Sequence, residues 1–355
     1  MRRRPLLLGA ALASALPLST HALPRRTLVF PRDHGAHPDL RTEWWYVTGA
    51  LSAGGQDYGF QVTFFRSRVD GTQAMQSRFA AKQLVFAHAA LTDVQGKRLL
   101  HDQRIAREGL GLAQASASDT DLRLADWALK REASGYRASM SATGFRLDLK
   151  LAETQPLLLQ GKDGLSRKGP DEKQASYYYS TPQLQVSGAV SVGGKPMPAT
   201  GSAWLDHEWS DELLHPDAAG WDWIGMNLAD GSALTAFRLR HKDAGAANNA
   251  ALWDGGSFRT ASGRQFSFRP GEVVFSPQRF WTSPLSKARY PVEWIVRTPG
   301  DFYTVKAVID NQELDSRQST GALYWEGLSE LLDSNGKKVG RGYLEMTGYA
   351  APLRL

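Results

Sequence analysis

The 355-residue sequence contains no cysteine. That excludes disulfide staples, thiolate metal sites, a cysteine nucleophile and a lipid-modified cysteine anchor, so the fold must rely on its hydrophobic core. Charge of one sign is lacking as well. The formal charge is +6, but without Arg2, Arg3 and Arg4 there are 39 basic residues against 36 acidic ones. A balance this even gives no basic face for nucleic acid. Beyond the N-terminus no apolar run approaches the ~20 residues that cross a bilayer as a helix, so no transmembrane anchor is expected. Familiar catalytic signatures are missing too: there is no G-x-S-x-G elbow, no P-loop and no G-x-G-x-x-G. His207-Glu208-Trp209-Ser210-Asp211 opens like a zinc-protease helix, yet Asp211 stands where the second histidine belongs. Neither a metal nor another cofactor is expected.

What is present begins with Arg2-Arg3-Arg4, an apolar run from Leu6 to Leu16, then Pro17 and the small-residue stretch ending at Ala22. This is the layout of a secretory signal peptide over residues 1–22, and it predicts a periplasmic or secreted protein. The arginine pair before Pro5-Leu6-Leu7 is compatible with general export and with the twin-arginine route.

Aromatic residues are plentiful, with 11 Trp, 11 Tyr and 14 Phe, and they pack well on pleated surfaces. Period-2 alternation dominates. In Phe145–Leu151 every odd position is apolar and every even one charged, and Thr235–Arg240, Val292–Val296 and Tyr303–Ala307 read similarly. Such strands have one buried and one wet face, which predicts an antiparallel, all-β protein. Gly54-Gly55, Gly193-Gly194, Asp230-Gly231, Gly255-Gly256 and Asn335-Gly336 are read as turns between strands. Gly161–Ser176 and Lys242–Ala250 are read as surface loops. A tryptophan-led hairpin (Trp45–Gly49, then Phe60–Arg66) is echoed by a second (Trp223–Gly225, then Leu234–Arg240), which suggests two copies of one architecture. Domains are therefore expected over residues 23–212 and 213–355.

The densest polar cluster, Asp206-His207-Glu208-Trp209, ends the strand Ala203-Trp204-Leu205. On a strand Asp206 and Glu208 share one face and His207 takes the other. A histidine beside carboxylates among aromatics suits general acid–base work, so Asp206, His207 and Glu208 are the candidate catalytic residues; a capping network would use the same groups. Asp33-His34-Gly35-Ala36-His37-Pro38-Asp39 could bind a metal, but a mobile polar lead-in to the first strand is the expectation. Glu43 stands out inside an aromatic strand start, and His88 is either a hydrogen-bonded core histidine or one that faces a cavity. Glu43, Trp45, Tyr46, His88, Trp209, Trp221, Asp222 and Trp223 are the candidate ligand-binding residues.

Arg41-Thr42-Glu43-Trp44-Trp45-Tyr46-Val47-Thr48-Gly49, Asp206-His207-Glu208-Trp209, Trp221-Asp222-Trp223 and Gly342–Tyr349 together resemble the AttH-like and carotenoid 1,2-hydratase-like family over nearly the whole chain. The resemblance implies two tandem lipocalin-like antiparallel β-barrels with a site near their junction. It also implies cofactor-independent hydration of isolated C=C bonds, or binding of other hydrophobic molecules. His207 and Trp209 match the family's Asp-His-x-Trp motif. The hydratases carry an acidic residue on the strand after the paired tryptophans, but Ser232–Arg240 has none, although Asp222 and Asp230 lie nearby. Three functions are therefore compatible with the residues. One is a carrier of an isoprenoid or acyl lipid, alongside an ABC-type export permease; another is a hydro-lyase or hydrolase acting on such a ligand. The third is a structural or interaction role.

Overall fold

The computed structural model describes residues 22–212, 214–243 and 251–353. All but the last residue of the expected leader, and most of the expected Lys242–Ala250 loop, lie outside these residues. Among the described residues no helix is long and apolar enough to cross a membrane.

The regular structure of the described residues is almost all antiparallel strand. The first sheet contains β1 (Thr42–Ala53), β2 (Gln56–Arg68), β3 (Gln83–Asp93), β4 (Arg98–Arg107), β5 (Ala113–Ala115), β6 (Asp121–Leu124) and β7 (Trp127–Glu132). It continues with β8 (Gly135–Ala142), β9 (Phe145–Ala152), β10 (Leu158–Leu159), β11 (Leu165–Arg167), β12 (Ala175–Val192) and β13 (Lys195–Ser210). The second holds β14 (Ala218–Leu228), β15 (Ala233–His241), β16 (Ala251–Arg259), β17 (Gln265–Phe268) and β18 (Val274–Thr282). It is completed by β19 (Arg289–Arg297), β20 (Phe302–Ala307), β21 (Glu313–Ser316), β22 (Ala322–Leu332) and β23 (Lys338–Met346).

The two sheets repeat one connectivity, and the architecture is two lipocalin-like barrels. Each opens with a four-strand meander, and its last strand returns beside its first: β13 lies on β1, and β23 on β14. Short extra strands pair with the penultimate strand in both, β10 and β11 with β12, and β21 with β22. The first sheet curls until β4 meets β8 and the turn between β8 and β9. There Arg104 donates to the Ser141 carbonyl at 2.9 Å, and the Thr143 N–H donates to Asp102 at 2.9 Å. Near-closure of this kind shields strand edges that would otherwise pair with other chains.

Alternation accounts for the cores. Phe145, Leu147, Leu149 and Leu151 point into the first barrel with Trp45, Trp127 and Phe64. Val292, Trp294 and Val296 point into the second with Phe275 and Trp325. Each large side chain fully removed from water in this way contributes roughly 1.5–3 kcal/mol.

Three expectations fail for local reasons, the Gly161–Ser176 surface loop among them, since β11 and the start of β12 lie in it and bury Ser166, Lys168, Gln174 and Ser176. Gly255-Gly256 is not a turn but lies inside β16, where a Cβ on Gly256 would stand 2.2 Å from the Thr235 carbonyl oxygen. The glycines there permit close approach of neighbouring strands. Arg238, expected on a wet face, is buried inside the second barrel, because the other face of β15 carries Phe237 and Leu239 to the contact between barrels.

Candidate functional site

The outer faces of β1, β12 and β13 pack against those of β14, β22 and β23, and between them lies a cavity of about 500 Å³. That volume suits a small-molecule site, and such sites favour domain junctions. Phe65, Phe86, Trp44, Trp221, Trp223 and Phe237 supply much of its apolar wall. Both barrels also contribute carboxyl groups: Asp206 and Glu208 from β13, Glu326 from β22 and Glu345 from β23.

Each carboxyl is held differently. Asp206 accepts from Tyr178 OH at 2.8 Å, Trp204 Nε1 at 2.7 Å and Ser180 Oγ at 2.5 Å. Burial outweighs these bonds and pushes Asp206 up to about 7. Glu208 pairs with Lys168 Nζ at 2.9 Å and accepts from Ser176. The Lys168 ammonium lies 4.6 Å from the Tyr178 ring centre and 4.4 Å from that of Phe237. Glu326 is only 2% exposed and is hydrogen-bonded by the Tyr46 hydroxyl across the barrel junction. Burial and the nearby Glu345 carboxyl push Glu326 well above the usual range. Glu345, its cross-strand partner, is raised by burial to about 7, against the Trp221 indole, which favours its anion. Two like charges on adjacent strands cannot both ionise cheaply, so one proton remains with the pair.

These raised values imply a pH dependence. A buried carboxyl that binds its proton more tightly when folded stabilises the fold below its unfolded value, and that contribution is lost as pH rises through the folded one. Conformational stability is expected to fall between about pH 4.5 and pH 7 from Glu345, and from about pH 3.8 for Asp206. Urea unfolding across this window should show a shallower slope in Glu345→Gln, and an unchanged slope would refute the assignment.

A second polar cluster is sealed inside the first barrel and does not line the cavity. Glu43 Oε1 accepts from His37 Nδ1 at 2.7 Å and His207 Nε2 at 2.9 Å. Its Oε2 accepts from Arg66 Nε at 2.8 Å and the His37 backbone N–H at 2.8 Å. Burial opposes ionisation of Glu43, but the His207 and His37 bonds prevail and hold it far below the usual carboxylate range. Burial lowers His207 to about 4, leaving a neutral ring that donates to Glu43 through Nε2 and bonds Tyr179 OH through Nδ1 at 3.2 Å. The His37 ring stacks on Trp209 at 4.0 Å, and the His207 ring on Trp45 at 4.4 Å. His37, Glu43 and His207 converge as metal ligands would. Their hydrogen-bonding atoms are nonetheless engaged by one another and by Arg66, Asp33 and Tyr179, which describes a brace.

The second barrel repeats this device. Asp222, opposite Arg238 on the neighbouring strand, accepts from Arg238 Nε at 2.7 Å and from Tyr349 OH at 2.9 Å. Glu43 and Arg66 are cross-strand partners in the same way.

The AttH-like family profile matches residues 21–349, nearly the whole chain. The chain belongs to the AttH-like family. A crystal structure of a candidate AttH from Nitrosomonas europaea is 48% identical, superposes with a TM-score of 0.85, and covers 92% of this chain and 99% of that one. Kievitone hydratase from Nectria haematococca shares the fold at 14% identity and a TM-score of 0.71, covering 92% of this chain and 94% of the hydratase. CghA with Sch210972 is more distant, at 13% identity and a TM-score of 0.54 over 88% and 89% of the two chains. No curated protein matches the sequence.

In this AttH-like protein the candidate residues divide by strand face. Tyr46, His88, Asp206, Glu208, Trp221 and Trp223 line the cavity. Glu43, Trp45, His207, Trp209 and Asp222 face the barrel interiors. His88 combines both readings, since it lines the cavity while bonding Tyr324 OH at 2.7 Å and Ser319 Oγ at 2.8 Å from the other barrel. Of the segment Asp33–Asp39, expected to be mobile, residues 33–37 are buried, because Asp33, His34 and His37 are tied to Val29, Tyr179 and Glu43. Sequence reasoning missed Lys168, Tyr178, Glu326 and Glu345. The signal that singled out Glu43, an acid in an aromatic strand, also marks Tyr324-Trp325-Glu326.

Proposed function

We propose that the cavity is an active site that adds water to, or removes it from, a carbon–carbon double bond of a hydrophobic substrate. The observation that carries this reading is the cross-strand pair of Glu326 and Glu345, enclosed with aromatic walls. Glu326 is kept protonated near neutral pH by burial and by Glu345, while Glu345 titrates at about 7. A proton donor and an acceptor thus share one wall, with values pushed apart as acid–base catalysis requires.

In the forward direction the Glu326 carboxyl gives its proton to one alkene carbon as the π bond opens. The other carbon becomes cationic beside tryptophan faces, whose π electrons attract a cation. Water attacks that carbon, and the Glu345 carboxylate takes the proton that the new C–O bond releases. The proton then passes back across the pair, so acid and base are restored. Likeness to a hydratase supports this direction, and the carboxyls supply an acid that Ser232–Arg240 lacks.

The test is incubation of the protein with unsaturated isoprenoid and acyl-lipid extracts in heavy-oxygen water, read by mass spectrometry. The reading predicts one compound that gains a single molecule of heavy water. A lipid that stays bound without incorporation would overturn it in favour of a carrier.

A further inference from the structure

Large apolar side chains that face water are unevenly placed. Ten are exposed among the described residues, and five of them, Met75, Phe79, Ile105, Leu110 and Leu112, fall between positions 75 and 112. The β2–β3 loop brings Met75 and Phe79 (64% exposed) to the end of the first barrel, and the β4–β5 turn brings Leu110 and Leu112 to the same end. The loops touch: Arg107 donates to the Arg78 carbonyl at 3.3 Å, and the guanidinium groups of Arg78 and Arg107 lie 5.1 Å and 5.7 Å from the Phe79 ring centre. Exposed apolar side chains gathered at one end of a barrel in this way point to an interaction site.

Its charge narrows the partner. Arg78, Lys82 and Arg107 make no ion pair among the described residues, whereas Glu108 accepts from the Ala115 N–H and Asp70 pairs with Arg68. The patch also continues into the cavity. Phe65, Phe86 and Ile105 are cross-strand partners in β2, β3 and β4, all three line the cavity, and Ile105 is itself exposed. An apolar ladder therefore runs from the cavity wall to β4, whose Arg107 bonds the loop that carries Phe79.

We propose that this end of the first barrel docks on an anionic phospholipid bilayer, and that a hydrophobic ligand passes between bilayer and cavity along the Phe65–Phe86–Ile105 ladder. The proposal rests on the cavity as a site for a hydrophobic compound, but its surface is separate from the carboxyl groups. Apolar loop tips sink into the headgroup region, and basic side chains beside them are drawn to anionic lipid.

Sedimentation with vesicles of phosphatidylcholine, with and without phosphatidylglycerol, tests this. The protein should bind the anionic vesicles, and more weakly as salt rises. Removing two cations in Arg78→Gln with Lys82→Gln should weaken binding roughly 25-fold, at about fivefold for each. Met75→Asp with Phe79→Asp should abolish it, with an unchanged circular dichroism spectrum. Equal binding by wild type and variants, or none by wild type, would overturn the proposal. So would light scattering that shows a dimer split by Phe79→Asp, which would make the patch a contact between copies. Water incorporation into detergent-dispersed substrate does not need a bilayer. Hydration by a wild type that does not bind vesicles would therefore fault the docking surface alone, and vesicle binding by a wild type that does not hydrate would fault the cavity reading alone.

Discussion

Glu326→Gln should lower the rate of water addition by roughly 10²–10⁴-fold, the usual cost of losing a general acid, while the fold stays at least as stable. Glutamine keeps the shape of the side chain and can still meet the Tyr46 hydroxyl that bonds Glu326. It cannot deliver a proton. Stability should not suffer, because a buried group that would otherwise be forced toward ionisation is gone. Glu345→Gln should differ in its pH profile. In the wild type activity should rise through about pH 7 as Glu345 becomes a base, then fall at higher pH as the pair loses its remaining proton. Replacing Glu345 removes the rising limb and slows the reaction. Initial rates from pH 5 to 10 for the three proteins would check both statements. A Glu326→Gln enzyme with the wild-type rate would exclude Glu326 as the acid.

Glu43→Ala should cost about 3–5 kcal/mol of stability, because it strands a buried guanidinium. Arg66 is 1% exposed and also donates to Gln83 and to the Leu40 carbonyl, so it cannot turn outward without breaking those bonds as well. The same substitution releases His37 and His207, and with them the segment that closes this part of the barrel. Asp222→Ala should also destabilise the second barrel, by removing the carboxylate that pairs with the buried Arg238 guanidinium and accepts from Tyr349 OH. Urea denaturation followed by tryptophan fluorescence measures both. A loss below about 1 kcal/mol would show that the cluster is not a brace. His207 shares this role, so its truncation should reduce stability whatever it does to activity.

Much of the fold was legible in the residues. Alternation in Phe145–Leu151 and the Gly54-Gly55, Gly193-Gly194 and Asn335-Gly336 turns mark strands and hairpins through local chemistry. The repeat was legible too, but its register was not. The tryptophan hairpins suggest matching Trp45 with Trp223, whereas the acid–arginine pairs align Glu43 with Asp222, and therefore Trp44 with Trp223. A slip of one residue exchanges the two faces of a strand, which is why Trp45 lies in a barrel core and Trp223 on the cavity. With the register corrected, Glu208 opposite Trp44 corresponds to Glu345 opposite Trp223.

The site was legible in part for the same reason. Period 2 separates Asp206 and Glu208 from His207, but it does not say which face holds a ligand. That is decided by how the barrels pack. Tyr46 and Glu326 meet across 280 positions of sequence, and the environment that raises Glu326 exists only after the second barrel has folded against the first. Composition and spacing carry no trace of such a contact.

The most direct test of the central claim is a crystal structure of the Glu326→Gln variant soaked with the compound that gains heavy water when incubated with the wild type. The account predicts unreacted substrate in the cavity between the barrels, with its double bond lying between position 326 and Glu345. Substrate bound inside the first barrel, against His37, Glu43 and His207, would contradict it.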